Sequence, residues 1–192
     1  AYDAFIEEFV QAVKQVFPHA LLQWEDFKKA NAFRLLDRYA GRLPSFNDDI
    51  QGTSAVTLAG VLSGLRLTQQ KLRDQRFLFV GAGAAGVGIG KLVRTALLAD
   101  GLSPGEARLR QVFIDSRGVV HQGQPELDHH KQEVALSHDE LAAVGLSAPL
   151  PTGLAAIIGA VRPTVLIGTS GQPGDFTPEA IRMMASHCER PL

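Results

Sequence analysis

Phe77-Leu78-Phe79-Val80-Gly81-Ala82-Gly83-Ala84-Ala85-Gly86 is the stretch on which the fold turns. An apolar run leads into Gly-x-Gly-x-x-Gly, and beyond it Val87, Ile89, Leu92, Val93, Ala96 and Leu97 recur at helical spacing. Strand, tight turn and helix in that order are the context a dinucleotide fingerprint requires. Gly81 permits the turn, Gly83 lets backbone approach a pyrophosphate, and Gly86 lets the helix pack closely on the strand. Ala84 and Ala85 fall where the helix opens, and N–H groups there can receive phosphate oxygens. A glycine turn that binds nothing is the competing reading of the same letters.

Outward from that turn, apolar runs alternate with helical patterns, which predicts a parallel sheet. Upstream, Phe5, Ile6, Phe9, Val10, Val13, Val16 and Phe17 form a helical stripe that Pro18 ends. Ala20 to Trp24 reads as a short buried strand, and a helix follows with Phe27, Ala30, Phe33, Leu35, Leu36 and Tyr39 available for packing. Pro44 to Asp49 reads as a polar turn. A third helix from Gly52 or Thr53 turns Val56, Leu58, Val61 and Leu65 inward, and Thr68 to Asp74 predicts a short capped helix. Downstream, Gln111 to Asp115 predicts the next strand, Leu154 to Val161 a helix, and Thr164 to Gly168 another strand. Thr177 and Pro178 open a last helix with an N-cap and a proline in the first turn. Residues 122–150 are polar and poorly periodic, and His129-His130 reads as a solvated face without a matching ligand cluster. The fold class is therefore α/β: Rossmann-like and doubly wound, with a mostly parallel sheet.

Asp115 ends the second strand of the fingerprint unit, where an acid can hydrogen-bond the adenosine ribose and favours NAD over NADP. It lies beyond the usual interval of about 20 residues, which requires an insertion around Ser103. Ser116 and Arg117 could instead receive a 2′-phosphate, with Lys131 assisting from the following segment.

The 192 residues carry 19 basic and 20 acidic side chains, so charge favours neither nucleic acid nor an anionic membrane as partner. No apolar run approaches a membrane span, and no signal peptide opens the chain. The single cysteine, Cys188, excludes an internal disulfide framework and fits a cytoplasmic location; it reads as a bystander on a helix end. The acidic pairs Glu25-Asp26 and Asp48-Asp49 each close an apolar segment. Converging carboxylates would suit Mg²⁺ or Mn²⁺, whereas most acidic doublets are solvated surface.

Gln23-Trp24-Glu25-Asp26-Phe27, Asn31 to Leu36, Phe46-Asn47-Asp48-Asp49-Ile50-Gln51-Gly52-Thr53, Phe79 to Gly86 and Leu166 to Gly171 together resemble the malic enzymes, in family order from Tyr2-Asp3 to the chain's end. The resemblance implies oxidative decarboxylation of L-malate to pyruvate and CO₂, with NAD or NADP and Mg²⁺ or Mn²⁺. Carried over by motif, Glu25, Asp26 and Asp49 would be metal ligands and Asp48 the acid beside them that assists catalysis. Gly168, Thr169, Ser170 and Gly171, at a strand end beside the fingerprint, would line the nicotinamide side. Residues 1–50 would belong to the end of the catalytic, metal-binding region. Residues 51–192 would be the NAD(P)-binding domain, short of its C-terminal part. Family members usually assemble, so a homo-oligomer is expected. The family's tyrosine acid and lysine base lie upstream of the matched segments, and neither Tyr2, Tyr39 nor any lysine here occupies their motifs. The expectation is a chain that binds nucleotide and turns over malate poorly or not at all. Two other readings stay open: a different NAD(P)-dependent dehydrogenase that needs no cation, and a non-catalytic nucleotide-sensing module.

Overall fold

The computed structural model describes residues 1–192, save the side chains of Lys29 and Ala30, so the packing expected of Ala30 lies outside the described residues. By its internal contacts the chain divides into two units, Ala1–Gly52 and Thr53–Leu192.

In the first unit the apolar stripe becomes helix α1, Tyr2–Val16, followed by strand β1, Leu22–Trp24, and helix α2, Lys29–Tyr39. The expected polar turn at Pro44 is instead strand β2, Ser45–Asn47, passing into a π-helical turn, Asp48–Gly52. Three residues are too few to display alternation; what makes them a strand is pairing. β2 runs parallel to β1 with Leu22 opposite Ser45 and Trp24 opposite Asn47. The buried Asn47 side chain replaces missing helical bonds, its Oδ1 accepting from the Ile50 N–H at 2.9 Å while Gln51 Oε1 accepts from the Asn47 N–H at 3.0 Å. Ile6, Val10, Trp24, Leu35, Tyr39 and Leu43 form the core, with Tyr39 stacked on Trp24 at 5.6 Å between centroids.

Glu7 ties α1 to α2. Its carboxylate accepts from Arg38 and Tyr39 Oη at 3.0 Å each, from Arg42 Nη1 at 2.8 Å and from Gln11 at 2.9 Å. The Arg42 hydrogen bond is the largest cause holding the Glu7 carboxyl well below the usual range. A carboxyl depressed in the folded state contributes stability above its unfolded pKa, about 4.3, and loses it as pH falls from there toward the folded value. Glu7→Gln is therefore expected to flatten the acid limb of the unfolding curve below about pH 4. An acid limb identical to wild type, read by circular dichroism, would refute the lock.

The second unit opens with helix α3, Thr53–Thr68, and a 3₁₀ turn, Leu72–Asp74. α3 buries Ser54, Val61 and Leu65, whereas Val56, expected inward, is 75% exposed. The helix carries apolar side chains all round, so its sequence defines no single stripe from which the buried face could be phased. Strand β3, Phe77–Val80, fully buried, leads through the glycine turn into helix α4, Ala84–Ala99. Helix α5, Pro104–Leu109, with a Ser103–Glu106 capping box, is the insertion that delays strand β4, Gln111–Asp115. A short strand β5, Gly118–Val119, turns back antiparallel to β4. Helices α6, His129–Val134, and α7, His138–Ala143, occupy the stretch that looked aperiodic. Each has too few turns to show a stripe, and only their caps, Asp128 and the Ser137–Glu140 box, mark them. Helix α8, Leu154–Val161, strand β6, Val165–Gly168, and helix α9, Pro178–His187, complete the unit; Cys188 is buried at the α9 end.

The sheet order is β5-β4-β3-β6, with β4 and β6 both parallel to β3. One face carries the stacked rings of Phe77, Phe79 and Phe113, the last two 4.3 Å apart. α4 approaches this face so closely that a Cβ on Gly90 would lie 2.3 Å from the Phe113 ring. The other face, Leu78, Val80, Val112 and Ile114, packs on Leu141, Ile157, Ile158, Val161 and Met184 of α7, α8 and α9. Helices thus cover both faces of a Rossmann-like sheet. Because β4 and β6 leave β3 on opposite sides, the crevice beyond the carboxyl end of β3 is where such folds admit a ligand. No helix among the described residues is long and apolar enough to cross a membrane.

Candidate functional site

In the second unit the fingerprint closes on itself through backbone. Gly81 has φ +118°, a conformation that favours glycine, and its N–H donates to Ile114 O at 2.9 Å. A Cβ there would meet Ser170 N and Thr169 C at 2.7 Å. Thr169 Oγ1 donates to Gly81 O at 3.1 Å and the Thr169 N–H to Val80 O at 2.7 Å, so the segment after β6 holds the turn. Thr169 lies within the Gly168 to Gly171 segment expected beside the fingerprint, and its contacts with the turn run through backbone carbonyls. At Gly86 a Cβ would lie 2.0 Å from Gly81 O, whereas at Gly83 it would meet nothing within 4 Å. α4 has no side-chain cap. Its opening N–H groups, at Ala84, Ala85 and Gly86, therefore lack intrahelical and side-chain acceptors and suit phosphate oxygens.

Asp115 stands at the carboxyl end of β4, its side chain 8% exposed. Lys131 Nζ bonds its Oδ2, the Arg117 N–H donates to Oδ1 at 2.8 Å, and Gln124 donates to Oδ1 at 3.4 Å. Burial pushes the carboxyl up, but these bonds outweigh it and hold Asp115 below the usual carboxylate range. The Arg117 guanidinium donates to Pro125 O at 2.7 Å, which turns it into the loop after β5; Ser116 is exposed. Of the candidates to meet a 2′-phosphate, Lys131 is the one whose side chain bonds Asp115 directly, while the Arg117 guanidinium stands 3.9 Å from it. Gln124 was not signalled by any motif.

Beyond β6, Gly168 has a packing explanation, since a Cβ would lie 2.5 Å from the Phe176 ring. Ser170 Oγ accepts from the Gln172 N–H at 3.2 Å, and Gly171 has φ +65°.

In the first unit, the parallel pairing of β1 with β2 puts Glu25-Asp26 and Asp48-Asp49 just past the carboxyl ends of neighbouring strands. Asp49 Oδ2 accepts from the Asp26 N–H at 2.9 Å and holds Asp26 in a left-handed conformation, φ 59°. Glu25 accepts from Gln23 at 2.8 Å. The Asp48 carboxylate lies over Gly52, where a Cβ would come within 2.1 Å of it. Among the described residues no three His, Cys, Asp or Glu side chains gather as a ready metal cage. The donors are all hard oxygens, which fits Mg²⁺ or Mn²⁺ bound by few carboxylates with further oxygens from solvent or substrate.

The chain matches two family descriptions: "Malic enzyme, NAD binding domain" over residues 50–192 and "Malic enzyme, N-terminal domain" over residues 1–40. It is 42% identical over 196 residues to "NAD-dependent malic enzyme 1" of Vibrio vulnificus and 44% over 191 residues to "NAD-dependent malic enzyme" of Sodalis glossinidius. Both alignments take in all of this chain but 34% of the relative, so it spans about a third of the length of the curated relatives it matches. Among solved structures, Entamoeba histolytica malic enzyme superposes with a TM-score of 0.71 at 29% identity, covering 93% of this chain and 34% of that one. NAD-dependent malic enzyme from Thermotoga maritima gives 0.69 at 28% identity, covering 93% and 43%. With a family description matched over most of its residues and on the strand-turn-helix already described, the chain belongs to the malic enzyme family.

Proposed function

We propose that this chain contributes the nucleotide-binding and cation-binding residues of an enzyme that oxidises L-malate with NAD⁺ and decarboxylates it to pyruvate and CO₂. The observation that carries the reading is the Gly81–Gly86 turn. It is closed by backbone at Gly81 and Gly86, yet open at Gly83, where a pyrophosphate would pass. When bound, the cofactor supplies a hydride acceptor and the cation a Lewis acid. The opening amides of α4 receive diphosphate oxygens, and Asp115 with Lys131 faces the adenosine ribose. Ser170 and Gly171, beside Gly168, border the nicotinamide side. Glu25, Asp26 and Asp49, which do not stand as a preformed cage, would close on the cation, and Asp48 would serve as the neighbouring acid that moves a proton. NAD⁺ is the expected cofactor because a carboxylate at the 2′ position disfavours a phosphate there, and relatives over the full chain carry NAD-dependent names. Association of like chains accompanies this reading, supported by the exposed Phe5, Phe9, Val16 and Phe17; sedimentation that finds only monomer would remove it.

Calorimetric titration of the chain with NAD⁺ and NADP⁺, each with and without Mn²⁺, tests the core of the proposal. Gly83→Ala sharpens it. The added methyl has empty space, so the thermal midpoint should move by no more than about 2 °C. The same methyl stands in the phosphate path and should weaken NAD⁺ about 10- to 100-fold, the loss of one or two charge-assisted hydrogen bonds. Unchanged affinity would leave the turn as a structural device only.

A further inference from the structure

α6 is too short to keep its place by its own hydrogen bonds, yet it delivers Lys131 onto Asp115. The guanidinium of Arg108, from α5, joins its end to the start of α7. Arg108 Nη1 donates to Glu133 O at 3.1 Å, Nη2 donates to Ala135 O, and Nε donates to Glu140 Oε1 at 2.5 Å. The two carbonyls end α6, and Glu140 is the acid of the capping box that starts α7. One planar fork thus closes one helix and opens the next, a task that suits arginine and that the single ammonium of lysine cannot span. α4 adds a longer bond from Arg94 Nη1 to Glu133 O at 3.4 Å and an ion pair from Lys91 to Glu133 at 2.9 Å. Burial, and then the neighbouring Arg108, lower the Arg94 pKa. Charge alone would separate these two cations; carbonyl and carboxylate acceptors at the α6–α7 junction keep them side by side.

We propose that Arg108 is a positioning residue of the nucleotide site, holding Lys131 on Asp115 through the α6–α7 junction and so setting how the site treats the 2′ position of the ribose. The inference rests on the reading of Asp115 and Lys131 as ribose-side residues. Without the clamp, α6 drifts, the ammonium leaves, and Asp115 faces the 2′ position with Gln124 and Arg117 still beside it. A carboxylate relieved of its lysine accepts a ribose hydroxyl and repels a phosphate more strongly.

The test uses this chain as wild type, Arg108→Ala, Arg108→Lys, Lys131→Ala and the Arg108→Ala/Lys131→Ala pair. The first readout is the titration of the Asp115 carboxyl, followed by ¹³C NMR. Arg108→Ala should raise its pKa as Lys131→Ala does, the pair should add nothing beyond Lys131→Ala, and Arg108→Lys should fall between. The second is affinity for NAD⁺ and NADP⁺ by calorimetry. Lys131→Ala and Arg108→Ala should both shift the preference toward NAD⁺ by about 10-fold, one charge-assisted contact. A plain structural staple would lower the thermal midpoint and leave both the Asp115 titration and the preference at wild-type values; that result overturns the proposal. Should Arg108→Ala fail to fold, Arg108→Lys decides: a wild-type Asp115 titration there is equally fatal. Wild-type chain that binds neither nucleotide sinks the ribose-side reading instead, while the NMR arm still decides whether Arg108 positions Lys131.

Discussion

Gly86→Ala is expected to cost the nucleotide-binding unit about 2 kcal/mol or more and to weaken NAD⁺ binding on the order of 100-fold. Two effects compete. Alanine is the better helix former and would by itself gain about 1 kcal/mol in a helix interior. Its methyl, however, would sit 2.0 Å from Gly81 O and 2.8 Å from Thr169 Oγ1. The first of these is backbone, fixed on one side by the Gly81 N–H bond to Ile114 O and on the other by Thr169. No rotamer relieves that clash, so the turn or the helix must move, and overpacking wins over propensity.

The movement falls on the opening amides of α4. Displacing two of them from phosphate oxygens removes about 3 kcal/mol, which is the 100-fold. Calorimetry with NAD⁺ and a thermal melt of the same sample read both effects. A melt lowered by several degrees with intact affinity would show that the phosphate does not depend on this turn. A melt at the wild-type midpoint would show that the close contact between strand and helix is not required. Compared with Gly83→Ala, which should spare the melt and lose affinity, Gly86→Ala separates what the glycines do for the fold from what they do for the ligand.

The fingerprint unit was legible because its signals are local. A buried run, three glycines and a helical stripe fall within one continuous stretch, and β3, α4, β4, α8, β6 and α9 follow from such patterns. The elements that were not legible depend on partners distant in sequence. β2 is a strand because Leu22–Trp24 pairs with it, and the π turn after it forms because Asn47 and Gln51 replace backbone bonds. Val56 could not be placed because α3 lacks a polar face to set against an apolar one. Asp115 was marked by its strand end, and Lys131 was expected only toward a 2′-phosphate. The Lys131 bond to Asp115 depends on α6, which is shorter than the period that would reveal it, and the Gln124 bond comes from a turn that no motif marks. Arg108 bears on this region through backbone carbonyls, and no residue-type motif encodes a carbonyl.

Asp49→Ala is expected to lower Mn²⁺ affinity by on the order of 100-fold or more while leaving NAD⁺ binding near wild type. Loss of a group outside the first coordination layer already costs about 10- to 100-fold at metal sites, and a ligand should cost at least the upper end. Two roles are removed together here. The carboxylate itself goes, and so does the acceptor for the Asp26 N–H, which frees Asp26 from its left-handed conformation. Asp49→Asn divides them, since an amide oxygen can still accept from the Asp26 N–H while the charge is gone. If the carboxylate binds the cation, Asp49→Asn should resemble Asp49→Ala in Mn²⁺ affinity. If Asp49 serves only to shape the loop that presents Asp26, Asp49→Asn should resemble wild type. Titration with Mn²⁺, alone and with L-malate present, followed by calorimetry, distinguishes the two. Mn²⁺ affinity unchanged in both variants would mean that these strand-end carboxylates are solvated surface, and the cation would have to be sought elsewhere.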